Sequence, residues 1–232
     1  VADAKRGHTF TKLANAITVA VKEGGGGDPA SNFKLRLNID QAKAVNMPKE
    51  NIQRAIDRGL GRGGGAELES VIYEGYAPGK VAIIIEATTD NKNRTTPEIR
   101  GTIEKNGGTF TTPGAVSWCF EDVGMIAITK AGKTFDEIFE LAVEAGASDI
   151  EDAGDSVEVY TKPTDVEKVK NTLIEKGLNV ESAELSKKPT TTVAIADKAL
   201  AEKVLAFVEK LEDLDDVQKV YANFDIPDNL MV

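Results

Sequence analysis

A single cysteine, a single histidine and a single tryptophan occur among the 232 residues. Cys119 has no partner in the chain, so an internal disulfide is excluded and a reducing compartment is implied. His8 stands without a second histidine or a nearby cysteine, so the spacing of a metal site is missing and no metal is expected. No apolar run approaches the roughly 20 residues that a membrane helix needs, so no membrane contact is expected. No signal peptide is visible, although the chain begins at Val1 rather than at Met. The aromatic-rich strand pattern of an RNA-recognition domain is missing. Gly61 to Gly65 is neither preceded by a strand nor followed by Lys-Ser/Thr, so it is not a P-loop. With 38 carboxylates accidental pairs are inevitable, and none singles itself out for catalysis. The expectation is a protein that is not an enzyme and carries no cofactor.

What charge there is lies unevenly. The net charge is −10, which argues against a basic coat over the whole surface. Residues 1–68 nevertheless hold 11 Lys/Arg against 7 Asp/Glu, whereas residues 69–232 hold 17 against 31. Contact with phosphate is therefore expected from the N-terminal part, while the remainder repels it or faces another partner.

The first 60 or so residues read as three helices. Leu13, Ile17 and Val21 recur at helical spacing before four glycines, Gly24 to Gly27. A second segment from Ser31 to Val45 turns Leu35, Ile39 and Ala42 inward; a third, opened by Pro48, turns Ile52, Ala55 and Ile56 inward. So small a bundle buries little alone and is expected to dock on something. The glycine-rich run from Gly59 to Gly65 reads as a hinge or linker.

Beyond it strands and helices alternate. Val81 to Ala87 is an almost unbroken apolar run, which predicts a central strand covered on both faces. A polar loop follows, then a helix over about 96–105 with Thr95 and Glu98 as a capping box, then a strand with Val116, Trp118 and Phe120 alternating. Residues 124–185 read as βαββαβ, with Thr134/Glu137 and Thr164/Glu167 as helix caps and Ile174 among the inward residues. A strand at 191–196, a helix capped by Asp197 and a strand at 217–224 are left over, and pairing them with the unit at 81–121 is the economical topology. The predicted fold class is thus α+β and multidomain: a helical N-terminal domain at 1–66, a split ferredoxin-like α/β domain at 67–122 and 190–232, and an inserted ferredoxin-like domain at 123–189.

Candidate phosphate contacts are Lys5, Arg6, Lys12, Lys34, Arg36, Lys43, Lys49, Arg54, Arg58 and Arg62, all on the N-terminal helices or their linker. A second group, Tyr73, Tyr76, Lys80, Asp90, Asn91, Asn93 and Arg94, lies on turns expected to line a cleft between domains. The tyrosines have two readings, stacking on a base or packing the turn. Arg94 at a helix start is placed either to meet an anion or to close a turn.

Lys5-Arg6-Gly7 with Phe10-Thr11-Lys12-Leu13, Lys22-Glu23-Gly24-Gly25, Asn46-Met47-Pro48-Lys49-Glu50-Asn51-Ile52, Tyr73-Glu74-Gly75-Tyr76, Asp90 to Thr95 and Asn106-Gly107-Gly108 occur in this order. Together they resemble the YebC/PmpR family along essentially the whole chain; its organellar relatives are translational activators of cytochrome c oxidase subunit I. The resemblance implies three domains, one inserted in another, and a regulator of gene expression without catalysis. Its partner would be promoter DNA or, alternatively, the ribosome through rRNA. A monomer in the bacterial cytoplasm is favoured, with the mitochondrial matrix as the other location. Two departures stand out. A basic segment like Gly-His-Ser-Lys-Trp-Ala-Asn-Ile-Lys, usual ahead of Lys-Arg-Gly in the family, is absent from this sequence, and Ala77-Pro78-Gly79-Lys80 stands where Gly-Pro-Gly-Gly is usual.

Overall fold

The computed structural model describes residues 2–227 and Leu230, with side chains from Arg6 onward. Three helices come first: α1 (Ala2–Glu23), α2 (Phe33–Ala44) and α3 (Lys49–Gly59). Buried Asn32 joins the first two. Its carboxamide donates to the carbonyls of Ala20 at 2.8 Å and Gly26 at 3.1 Å, while its oxygen accepts the Leu35 N–H at 3.1 Å as the cap of α2. The small core is built from Ile17, Val21, Leu35, Ile39, Ile52 and Ile56. At Gly59 the helices touch so closely that a methyl group would meet the Val21 Cβ at 2.6 Å. The glycine run after α3 folds back: Arg62 N–H donates to the Asp57 carbonyl at 2.8 Å and Arg58 to the Ala66 carbonyl at 2.9 Å.

Strands β1 (Glu69–Ala77) and β2 (Val81–Thr89) form a hairpin closed by a turn at Pro78–Lys80. Gly79 and Lys80 both have positive φ, 79° and 61°. Lysine therefore occupies a left-handed position that glycine would hold with less strain. Next come α4 (Lys92–Lys105), β3 (Thr109–Thr111) and, much later in the chain, α7 (Lys198–Glu212) and β9 (Val217–Ala222). The sheet runs β3-β1-β2-β9 with every neighbour antiparallel. Reading β2, α4, β3, β1, α7 and β9 in turn gives the ferredoxin-like order with the third strand moved to the front of the chain. Helices α4 and α7 cover one face through Ile83, Ile85, Ile99, Ile103, Phe207 and Leu211. The other face, at Ala82, Ile84 and Tyr221, is closed by Val116, Cys119 and Phe120.

The second sheet is built by β4 (Phe120–Thr129), α5 (Phe135–Ala145), β5 (Asp149–Asp152), β6 (Ser156–Thr161), α6 (Val166–Glu175) and β7 (Asn179–Pro189), in the antiparallel order β5-β6-β4-β7. Phe120 pairs with Pro189, so the chain leaves the first sheet and returns to it side by side. On this pairing we propose the division into 1–66, 67–122 with 190–232, and 123–189.

Several elements differ from the local reading, each for a tertiary reason. α4 starts at Lys92 with Asn91 as its cap, because the hydroxyl of Thr95 is drawn to Asp216 instead of capping. β1, unpredicted, is a full nine-residue strand. Residues 117–119 form a short 3-10 turn and not a strand, leaving Trp118 68% exposed. Its cause is buried Glu74, whose carboxylate accepts the N–H groups of Gly114 and Val116 at 2.7 Å and of Ser117 at 3.0 Å. β8 (Val193–Ala194) does not enter the large sheet but pairs in parallel with β10 (Phe224–Asp225). Asp165, not Thr164, precedes α6, and Ile174 is exposed.

Glu74→Ala leaves three backbone N–H groups without their acceptor and is expected to cost about 3 kcal/mol. Urea denaturation measures that loss. Faster amide exchange confined to residues 114–117 would locate it, whereas unchanged exchange there would remove Glu74 as the anchor of the loop.

Candidate nucleic-acid interface

α2 is buried on two sides. Leu35, Ile39 and Ala42 face the helical core, while Phe33 and Leu37 enter the core of the second sheet. Polar contacts frame that seam: Arg36 pairs with Glu167 and donates to the Pro29 carbonyl, Lys170 lies 3.0 Å from Asp40, and Gln41 donates to Glu184 at 3.1 Å. Arg36, expected to meet phosphate, is thus engaged within the protein.

Lys12 is engaged too. It donates to the Glu212 carbonyl at the end of α7, and burial lowers its pKa although the carboxylates of Glu212, Asp213 and Asp215 oppose the change. His8 Nδ1 lies 3.4 Å from Asp215 in the same seam. α1 therefore rests on the acidic turn between α7 and β9.

The remaining candidates divide by position. The side chain of Lys5 lies outside the described residues. Lys34 is exposed at the rim of the central cleft, and Lys43, Lys49 and Arg62 are exposed elsewhere. Arg54 and Arg58 come together in a groove of about 280 Å³ between α1 and α3, whose walls include Phe10, Thr11, Asn15 and Asn51. The Arg6 guanidinium lies over the Phe10 ring, 5.3 Å from its centroid. Arg6, Arg54 and Arg58 make no ion pair among the described residues. Phe10, Thr11 and Asn51 entered the sequence reading only as parts of the family motifs, and none of these three nor Asn15 was expected at the site. Their signal is a polar stripe at helical spacing, Thr11-Asn15-Thr18 facing Asn51-Arg58, within the basic segment.

A larger cleft of about 840 Å³ lies where the helices meet both sheets. Its lining includes Lys187 paired with Glu86 and Asp122, and Lys219 paired with Glu184, while Tyr221 donates to Glu86 at 3.4 Å. None of the seven residues expected at an interdomain cleft lines it. Tyr73 is buried, its hydroxyl 2.8 Å from that of Thr96 and its ring against Phe110. Tyr76 packs on the opposite face of β1, against the cluster around Cys119. Lys80, Asp90 and Asn93 are exposed. Asn91 caps α4, and Arg94 bridges Asp90 at 3.0 Å and Asp216 at 2.9 Å. The loop after β2 is thus a closed network on Asp216, with Thr89 donating at 3.2 Å and Thr95 alongside. Burial works to raise the Asp216 carboxyl, but these hydrogen bonds outweigh it and hold the group below the usual carboxylate range. Among the described residues no cluster of His, Cys, Asp and Glu is arranged to hold a metal, and no helix is long and apolar enough to cross a membrane.

Comparison with known proteins agrees over the whole length. A family model described as the TACO1/YebC protein N-terminal domain matches residues 1–62, and one described as the TACO1/YebC second and third domain matches residues 68–224. A probable transcriptional regulatory protein of Roseiflexus castenholzii is 53% identical over 99% of this chain and 91% of its own. One of Dictyoglomus thermophilum is 51% identical over 99% and 92%. The crystal structure of the conserved hypothetical protein Aq1575 from Aquifex aeolicus superposes with a TM-score of 0.91 at 45% identity, covering 98% of this chain and 93% of that one.

Because the folded-state pKa of Asp216 is depressed, its contribution is present above the unfolded value of about 3.9 and is lost as pH falls through the folded one. Asp216→Asn is expected to cost about 1–2 kcal/mol at neutral pH. The gap from the unsubstituted protein should close as pH drops below about 4. Thermal melts at several pH values measure both, and a gap independent of pH would refute the ionic part.

Proposed function

The chain belongs to the TACO1/YebC family, and from that premise we propose that it is a regulator of gene expression that binds nucleic acid through the arginine-lined face of α1 and α3. One observation carries the reading. In a chain of net charge −10, where Lys130–Asp152, Lys187–Asp122 and Lys188–Glu151 are among the ion pairs of the two sheets, Arg54 and Arg58 line one groove without a carboxylate partner among the described residues, and Arg6 lies over the Phe10 ring on its wall. Unpaired guanidinium groups on a rigid helical surface are suited to phosphate, and the acidic body turns a nucleic acid toward that surface. The names of the relatives give transcription as the process, so DNA is the first partner to test. The role is regulatory rather than catalytic, and the cytoplasm, where DNA and messages are, is the expected site of action.

Fluorescence anisotropy with a 30-base-pair duplex and with an RNA hairpin, each titrated with salt, tests the proposal. Arg54→Glu with Arg58→Glu is expected to weaken binding by about 10-fold or more and to flatten the salt dependence by about two counterions. The helical core does not contain these side chains, but the double variant also loses the Arg58 bond to the Ala66 carbonyl, so thermal melts confirm that it stays folded. Binding that is unchanged in affinity and slope would overturn the reading.

A further inference from the structure

The groove between α1 and α3 has a shape as well as a charge. The two helices are closest at Gly59 and Thr18, where Thr18 donates to the Ala55 carbonyl at 2.9 Å, and the groove opens along Phe10 to Asn15. Small residues, Ala14 and Ala55, form its floor. One wall offers the Phe10 ring, which Arg6 stacks against at 5.3 Å, and the Asn15 carboxamide, which has no hydrogen-bond partner among the described residues. The other offers Arg54, steadied by the Asn51 side-chain oxygen, and Arg58, tethered to the Ala66 carbonyl at 2.9 Å. The Nε of Arg58 is buried and has no acceptor, which is exceptional for a buried donor.

We infer that this groove seats one unpaired nucleotide of a single-stranded nucleic acid. The base stacks on Phe10 with Asn15 at its edge, and the adjoining phosphate takes Arg54 and Arg58. This rests on the nucleic-acid reading above and narrows it. A bare anion would satisfy the arginines but leaves unused the Asn15 carboxamide and the part of the Phe10 ring that the helical core does not cover. A duplex keeps its bases inside and is read by an element that protrudes into its groove. Here the groove of about 280 Å³ is an open depression between two helices, and the inward face of α3 is committed to the core through Ile52 and Ile56. Aromatic stacking beside a basic track is how single strands are held, with tolerance of sequence because every base has a π-face. Unpaired bases occur both in RNA and in melted DNA, and the two differ by the 2′-hydroxyl.

The test uses the full chain and fluorescein-labelled strands: oligo(U) and oligo(dU) of ten nucleotides, and a duplex of the same length in base pairs. Both single strands, or the RNA alone, should bind at least 10-fold tighter than the duplex. Phe10→Leu, which keeps an apolar side chain against the bundle, should lose about 5-fold or more on single strands and little on duplex. Circular dichroism melts confirm that the variant is folded, and Asn15→Ala, outside the core, gives a second reading should Phe10→Leu melt early. Preference for oligo(U) over oligo(dU) assigns the seat to RNA; equality assigns it to any unpaired strand. A duplex bound as tightly as the single strands, or an Asn15→Ala and Phe10→Leu pair that binds like the parent, overturns the inference. If charge reversal at Arg54 and Arg58 still weakens binding in that case, the broader nucleic-acid reading survives. If it does not, both fall.

Discussion

A strand without a polar face must be covered on both sides, and covering Val81–Thr89 requires residues from distant parts of the chain. Ile83 and Ile85 point into a layer made by α4, next in sequence, and by α7, which begins more than a hundred residues later. Ala82 and Ile84 on the reverse face are sealed by Val116, Cys119 and Phe120. Along its edges lie β1, its hairpin partner, and β9, almost the last element. The entropy of closing so long a loop grows only slowly with its length, and the inserted residues fold into a sheet of their own. Pairing of Phe120 with Pro189 brings the ends of the insertion together, so the two sheets are joined by adjacent strands and not by a loose tether.

The helical bundle is too small to stand on its own core, and it is stabilised by using α2 twice. One side of α2 holds α1 and α3, and the other inserts Phe33 and Leu37 into the second sheet. That docking sorts the basic residues. Arg36 and Lys12 lie at the seams and are engaged by Glu167 and by the end of α7. Arg54 and Arg58 lie on the side away from both seams, beside Phe10 and Asn15, and so remain open to a partner. Attachment of the bundle to the body and selection of its binding face are consequences of one packing arrangement.

Where structure depends on near neighbours, the sequence was legible. Thr134 and Glu137 form the capping box expected of them, Asp197 caps α7, and the residues that α2 and α3 turn toward the helical core are the ones their spacing indicated, whereas Leu37, buried against the second sheet, was not among them. The order of elements in 124–185 followed from turn residues and apolar runs. Illegible positions share a cause. Thr95 reads as a cap until Asp216, 121 residues away, takes its hydroxyl. Trp118 alternates like a strand residue until Glu74, more than forty positions earlier, captures the preceding N–H groups.

By itself the sequence determined the class of fold, the family, the basic character of the N-terminal helices and the apolar faces they bury, because hydrophobic periodicity and caps act over a few residues. Tertiary structure alone decided which of those basic residues are available. Arg36 and Arg54 are equivalent as sequence, each on the polar side of a short helix. Only packing brings Glu167, 131 residues distant, to the first and leaves the second at an open groove, since the partner of a charge is set by proximity in space, which no local pattern encodes.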